Sequence, residues 1–367
     1  MLYSNTMRKK LVVLLLILLV LVSLAGGYVV GGLQAYARYQ QSSAANQEHC
    51  GGQDPVHICV RTPLDVFSAY YPSYTVNHVP LFTVTYSSSS SLTLLISVNI
   101  QGFSQVETHT VSASSHTQTT TFTPPLLNST ILNKLTAENN TSVRVHVTDT
   151  AGHEYYLNDG PLQLHSRWLM QWVAGNRLRI AAWVTPGNTA VAHLVTLASK
   201  HLAIQPSPAP KAMIGYNKAT PRAVRDQVDA IFDALRLDYH MRYVQASVPY
   251  SGPGDTSADQ QFIKLPAEVL QQQSGMCVEL TLLLASAVES IGLHTEIVII
   301  PGHAFLGVAV KSDDSQFEYW DAVQVNNGVA GDSANIAANN EYQQSAKQLV
   351  DTILISNARQ QGIGPMF

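Results

Sequence analysis

The apolar residues of this 367-residue chain change their period once, near residue 183. Before that point they recur at every second position in short runs. Val143-Arg144-Val145-His146-Val147 alternates strictly. Successive side chains on a strand point to opposite faces, so this alternation predicts strands with one wet face. Leu81–Tyr86, Leu92–Ile100, Val106–Val111, Thr117–Thr123 and Tyr155–Leu157 are further runs, separated by clusters of Gly, Pro, Asn and Ser. Short strands at this spacing predict an all-β, immunoglobulin-like sandwich over 63–182. After 183 the spacing becomes helical. Val191, Leu194, Val195, Ala198 and Leu202 share one face. Thr220-Pro221 supplies an N-cap and a first-turn proline to a second helix, whose stripe is Val224, Val228, Ile231, Phe232 and Leu235. Strand patterns return at Tyr239–Val244, Thr295–Ile300, Ala304–Val310 and Phe317–Val323, and Glu341–Arg359 has the pattern of a closing amphipathic helix. Residues 183–367 thus read as an α+β domain, and the whole chain as α+β.

Arg8, Lys9 and Lys10 precede the apolar run Leu11–Val30, and no charge returns until Arg38. A run of ~20 apolar residues matches the hydrocarbon core of a bilayer, and the basic flank places the N-terminus inside. The expectation is an N-terminal transmembrane helix within 1–37, a single-pass anchor in the cell membrane with the rest of the chain outside the cytoplasm. The rival is a cleaved signal peptide ending at Ala35-Tyr36-Ala37, against which the run is long for such a segment. Residues 38–62 are polar, lack an apolar period and read as a tether. Only 13% of residues are charged, the net charge is -4, and no basic block occurs beyond Arg8-Lys9-Lys10. That excludes nucleic acid as a partner, because phosphate binding needs a basic face.

The chain has three cysteines. Cys50 and Cys59 lie close together and are expected to form a disulfide in an oxidising compartment. A metal site with His49 and His57 is the rival, but the spacing is not that of a zinc centre. Cys277 is left over, as either a reactive thiol or an inert core residue. It lies in Ser274-Gly275-Met276-Cys277-Val278-Glu279-Leu280, just ahead of the apolar run Leu280–Ile291, which reads as a buried helix. The first turn of a helix, with its unpaired N–H groups and positive dipole end, favours a thiolate. Glu279 reads as a cap on that turn. Folding the chain about the polar turn Lys311–Gln316 sets His303 opposite Asp321 within two residues of register, close enough for a carboxylate to hold an imidazole. An oxyanion site would use the Cys277 N–H and a side-chain amide from Gln271, Gln272 or Gln273, with Gln271 the favoured choice. The Gly/Pro/Asp/Ser stretch 249–259 reads as a rim or lid.

Gly275-x-Cys277-x-Glu279, Ser290-Ile291-Gly292-Leu293, His303-Ala304-Phe305 and Tyr319-Trp320-Asp321-Ala322 together resemble the transglutaminase-like family of the papain-like cysteine enzyme superfamily. The resemblance covers roughly 183–325. Phe305 stands where members often carry Trp, and Trp320 abuts Asp321 directly. The resemblance implies a Cys277–His303–Asp321 triad that attacks amide carbonyls through a thioester, on a protein or peptide substrate. Water as acceptor gives a peptidase or amidase, the preferred reading, and an amine gives a cross-linker. The alternative is a cell-surface interaction protein whose transglutaminase-like scaffold is catalytically idle. No cofactor- or metal-binding pattern is read from the chain.

Overall fold

Two sheets make up the first half of the computed structural model, which describes residues 46–366 apart from 129, 173–175, 207 and 246–259. One sheet has the order β1-β2-β4-β7, with β1 Asn46–Gly51, β2 Val56–Pro63, β4 Phe82–Ser88 and β7 Gln118–Phe122. The other has the order β3-β9-β8-β5-β6, with β3 Asp65–Phe67, β5 Leu92–Ile100, β6 Glu107–Ala113, β8 Asn139–Asp149 and β9 Glu154–His165. β3 lies parallel to β9, and the other neighbours run antiparallel. Alternate side chains go inward: Phe82, Val84 and Tyr86 from β4, Leu94, Ile96 and Val98 from β5, Val143, Val145 and Val147 from β8. Each such side chain contributes about 1.5–3 kcal/mol by leaving water. The sheets meet where the His109 and Phe122 rings stack at 4.2 Å. The short helix α1, Tyr71–Val76, follows β3 and buries Tyr71 and Tyr74.

The polar stretch 38–62 is not a tether from residue 46 onward, because it supplies β1 and β2. Val56, Ile58 and Val60 alternate inward along β2, a period that the surrounding polar residues mask. β1 is an edge strand with mostly exposed side chains, so its composition carries no apolar signal. Cys50 and Cys59 face each other in the β1–β2 register and are joined by a disulfide. The expected transmembrane helix is also withdrawn from this fold. Among the described residues no helix is long and apolar enough to cross a membrane. The longest of them has 17 residues, against the ~20 that a bilayer needs. Leu11–Val30, on which that expectation rested, lies outside the described residues, as does the stretch 249–259.

The second half surrounds one buried helix. α2, Thr189–Ile204, is capped by the Asn188 side chain, and α3, Pro221–Leu237, by Thr220. α4 spans Pro266–Gln272 and α5 spans Cys277–Ser290. α5 is buried from Cys277 to Val288, with α2, α3 and α4 around it and a four-stranded sheet beneath. That sheet has the order β16-β15-β14-β17, all antiparallel, with β14 Thr295–Ile300, β15 His303–Ala309, β16 Phe317–Trp320 and β17 Asp351–Leu354. α6, Gly331–Ser345, covers β16, and α7, Ile355–Gln360, follows β17. The closing helix expected over Glu341–Arg359 is therefore split. α6 stops at Ser345, and Thr352, Ile353 and Leu354 re-enter the sheet beside Val298, Ile297 and Glu296. β14 is buried throughout, so an unpaired edge there would strand N–H and C=O groups away from water. Completing the ladder outweighs the helical spacing of Leu349 and Ile353.

The boundary expected at 182/183 is crossed by structure. β10, Leu169–Gln171, pairs with β12, Gln260–Phe262. β11, Arg242–Tyr243, runs parallel to β13, Ser274–Gly275. Trp168 Nε1 donates to Glu268 Oε2 of α4 at 2.8 Å, and Arg167 forms an ion pair with the same carboxylate. From Asn46 onward the chain is one unit.

The disulfide joins cysteines nine positions apart in sequence, and chain entropy assigns such a closure about 2–3 kcal/mol. Peptide mapping without reductant should recover Cys50 bonded to Cys59. Denaturant unfolding of a Cys50→Ala/Cys59→Ala variant should show a stability loss of about that size.

Candidate active site

The Cys277 stretch is built from close packing and one buried carboxylate. Gly275 lies two residues before the thiol. A Cβ there would meet Val269 Cγ1 at 3.1 Å, Glu279 Cβ at 3.2 Å and Leu280 Cδ2 at 3.2 Å, so its absence lets α4 and α5 approach. Glu279, at the third position of α5, is 1% exposed. Its Oε2 accepts the Met276 N–H at 2.9 Å, its Oε1 accepts the Lys264 N–H at 2.8 Å, and Lys264 Nζ lies 3.5 Å away. Burial drives this carboxyl upward, and the two N–H donors and the ammonium work against that. Glu279 thus caps the turn that carries Cys277 and ties it to the strand that precedes Lys264.

α5 is tied to β15 by one hydroxyl. Thr281 Oγ1 lies 2.8 Å from the Cys277 carbonyl oxygen and 3.0 Å from that of Ala304, and shares its proton between them. Ala304 adjoins His303, which opens β15 after the Pro301-Gly302 turn. Gly302 has φ +75°, a conformation glycine adopts without strain. His303 Nε2 lies 3.2 Å from Asp321 Oδ1. Asp321 follows β16 and is 4% exposed. It also accepts the Val323 N–H and the Gln324 side-chain amide, each at 3.0 Å. Leu306 pairs with Trp320, so Asp321 falls opposite Phe305 and meets His303 diagonally, two residues from the expected register. Trp320 Nε1 donates to Asp229 Oδ1 of α3 at 2.8 Å, which anchors the strand end. Burial pushes Asp229 up to about 7, with the Trp320 hydrogen bond acting in the opposite sense.

Cys277, His303 and Asp321 are thereby brought together. Cys277 is 8% exposed and lines the same cleft as the His303 ring, whose titration its sulfur influences. A cleft of about 20 Å³ opens beside it, lined by Trp172, Gln261, Cys277, Val278, Ile299, Gly302, His303 and Ala304. It has room for roughly one water-sized group. Gln271 is not in it. That residue is exposed near the end of α4, while Gln272 Oε1 accepts Lys264 Nζ and Gln273 terminates the helix in a left-handed conformation. The amide at the cleft belongs to Gln261, which sequence reasoning missed. Its Oε1 accepts the Trp172 indole N–H at 3.0 Å, and its Nε2 donates to Met276 Sδ at 3.9 Å with one of its two N–H groups. The signal lay in a short period-two run: Gln261, Ile263 and Leu265 go inward while Phe262 is 56% exposed. Trp172 lies in the sheet-rich half and carried no signal of a role here. Tyr243, beside Gly275, is raised by burial and then by the charges of Cys277 and Asp321.

Among the described residues two clusters combine metal-ligating side chains. In Cys50, His57 and Cys59 the sulfurs are bonded to each other. In the second, His303, Asp321 and Glu341 hold one donor atom each within 4.8 Å of one another, and the Asp321 carboxylate already engages the imidazole. Searches against family models, curated proteins and solved structures find no match for this chain.

Burial opposes the charged form of His303, but the hydrogen bond to Asp321 and the influence of the neighbouring Asp321 and Cys277 push it up to about 10. Burial also raises Asp321, yet the hydrogen bond and charge of His303 bring it below the usual carboxylate value. A raised imidazole stabilises the fold fully below its unfolded value of ~6.5, and this stability is lost as pH rises through about 10. The lowered Asp321 contributes above its unfolded value of ~3.9 and loses its contribution as pH falls past it. Thermal melting across that range should decline on both sides, and His303→Ala should remove most of the alkaline decline. Thr281→Val should cost about 1–3 kcal/mol in denaturant unfolding, since it leaves two buried carbonyls short of a donor.

Proposed function

We propose that this chain is a transglutaminase-like, papain-like cysteine enzyme that acts on amide bonds of a protein or peptide substrate. The observation that carries this reading is the His303 ring, held by Asp321 at 3.2 Å and sharing a cleft with a thiol at the start of a buried helix. The raised imidazole supports a His303 imidazolium held by Asp321 beside the Cys277 sulfur. Its opening onto a cleft beside Gln261 supports acyl transfer over an inert core cysteine.

In the proposed reaction the Cys277 sulfur attacks the amide carbonyl carbon and a C–S bond forms. The carbonyl oxygen takes the negative charge and is met by the Cys277 N–H and the Gln261 amide. The Cys277 N–H belongs to a first helical turn, where such groups have no intrahelical acceptor. The tetrahedral intermediate collapses, the C–N bond breaks, and the amine leaves with the proton from His303. A water then gives its proton to His303 and attacks the thioester. The acid is released and the thiol restored. Asp321 stays ionised and keeps the ring in place. Hydrolysis is the preferred outcome, and an amine entering in place of water gives transamidation. The Cys50–Cys59 disulfide supports an oxidising compartment outside the cytoplasm.

Cys277 should react with iodoacetamide at about pH 7 at least tenfold faster than a free cysteine, whose thiol is mostly protonated there. Cys277→Ala should abolish turnover of a peptide-amide library, and Gln261→Ala should lower kcat by about 10²-fold. A wild-type thiol no more reactive than free cysteine, with Cys277→Ala as active as the parent, would defeat the reading. Running the assay with and without a primary amine separates hydrolysis from transamidation.

A further inference from the structure

α6 carries a carboxylate on a stripe that is otherwise apolar. Ala334 and Ala338 are fully buried, and Glu341 follows them at the next helical step. The helix is fixed in place by several independent contacts. At its start, Gly331 lies so close to α3 that a Cβ would fall 2.6 Å from the Asp229 Cα. The Asn335 and Asn339 amides both donate to the Tyr319 carbonyl, at 3.0 and 3.4 Å. The Tyr342 ring stacks on Tyr319 at 3.9 Å and 18°. All of these contacts converge just ahead of Asp321. The result is that Glu341, Asp321 and His303 each bring a donor atom within 4.8 Å of the other two.

We propose that Glu341 is a second carboxylate partner of His303, a positioning residue that acts with Asp321 to hold the imidazolium opposite the Cys277 thiolate. This inference rests on the reading of Cys277 as a nucleophile. The titratable groups around the ring are Cys277 from α5, Asp321 beyond β16 and Glu341 from α6, while Tyr243 from β11 lies near Cys277 and Asp321. Burial raises the Glu341 carboxyl, His303 works against that rise, and Asp321 adds to it, as expected of two acids sharing one cation. Glu341 has a carboxylate oxygen within 4.8 Å of a His303 ring nitrogen, so its charge favours the imidazolium. Two carboxylates on one ring also make the loss of either one partial.

The test uses the full chain with Cys50–Cys59 intact, so that Cys277 is the one thiol available to iodoacetamide. Alkylation of the Cys277 peptide is followed by mass spectrometry as a function of pH in wild type, Glu341→Gln, Asp321→Asn and the double variant. Glu341→Gln should slow alkylation about fivefold near neutral pH, a screened charge effect. It should leave the rate unchanged at about pH 9.5, where a thiol ionises without help from an imidazolium. The double variant should fall by more than the product of the single effects. Glu341→Met, which keeps the length and drops the charge, provides the same readout if the amide disturbs α6. A fast wild-type thiol whose pH profile is unchanged in both Glu341 variants would overturn this inference and leave the acyl-transfer reading standing. A wild-type thiol as slow as free cysteine would overturn both.

Discussion

The site depends on a carboxylate that does no chemistry. Glu279 is buried, receives the N–H groups of Met276 and Lys264, and faces the Lys264 ammonium. A buried charge is tolerated only when paired and hydrogen-bonded, and here the partners come from two separate pieces of chain. One is the turn that presents Cys277. The other is the extended segment that presents Gln261. Removing the carboxylate would orphan two backbone donors at once, so the Cys277 turn and the Gln261 segment are fixed by the same interaction. Thr281 does the same work at the opposite side of the helix, where it ties the Cys277 turn to the strand bearing His303.

The parts of this arrangement that were legible in the sequence were the local ones. A thiol before a long apolar run, a Pro-Gly turn ahead of His303 and a polar turn between two strands each follow from short-range rules, and together they placed three residues near one another. The hairpin register falls two residues from symmetric folding about the Lys311–Gln316 turn, inside the span that the turn allowed. Gln261 and Trp172 were not legible, since their meeting depends on pairing between β10 and β12, which are about ninety residues apart. The run of three glutamines drew attention because it was near Cys277 in sequence, whereas a helix turns its successive side chains to different faces.

Errors elsewhere have the same physical origin. β1 reads as a tether because an edge strand can be polar on both faces and still fill its hydrogen bonds. The closing helix was misread because a buried strand needed a neighbour, and that need is invisible in the segment that meets it. Helical spacing of apolar residues is a weak signal when β-branched residues can close an open ladder instead.

The β10–β12 ladder also sets an order of assembly. A chain made from its N-terminus presents Trp172 first, then Gln261, Cys277, His303, Asp321 and, last, Glu341. From the addition of Cys277 until that of His303 the thiol exists without a ring to accept its proton, and until that of Asp321 without a carboxylate to hold that ring. The Cys277–His303–Asp321 cluster therefore comes together only after the disulfide-bearing strands have emerged. A nascent or truncated product ending before residue 303 would carry the Cys277 sulfur and none of His303, Asp321 and Glu341.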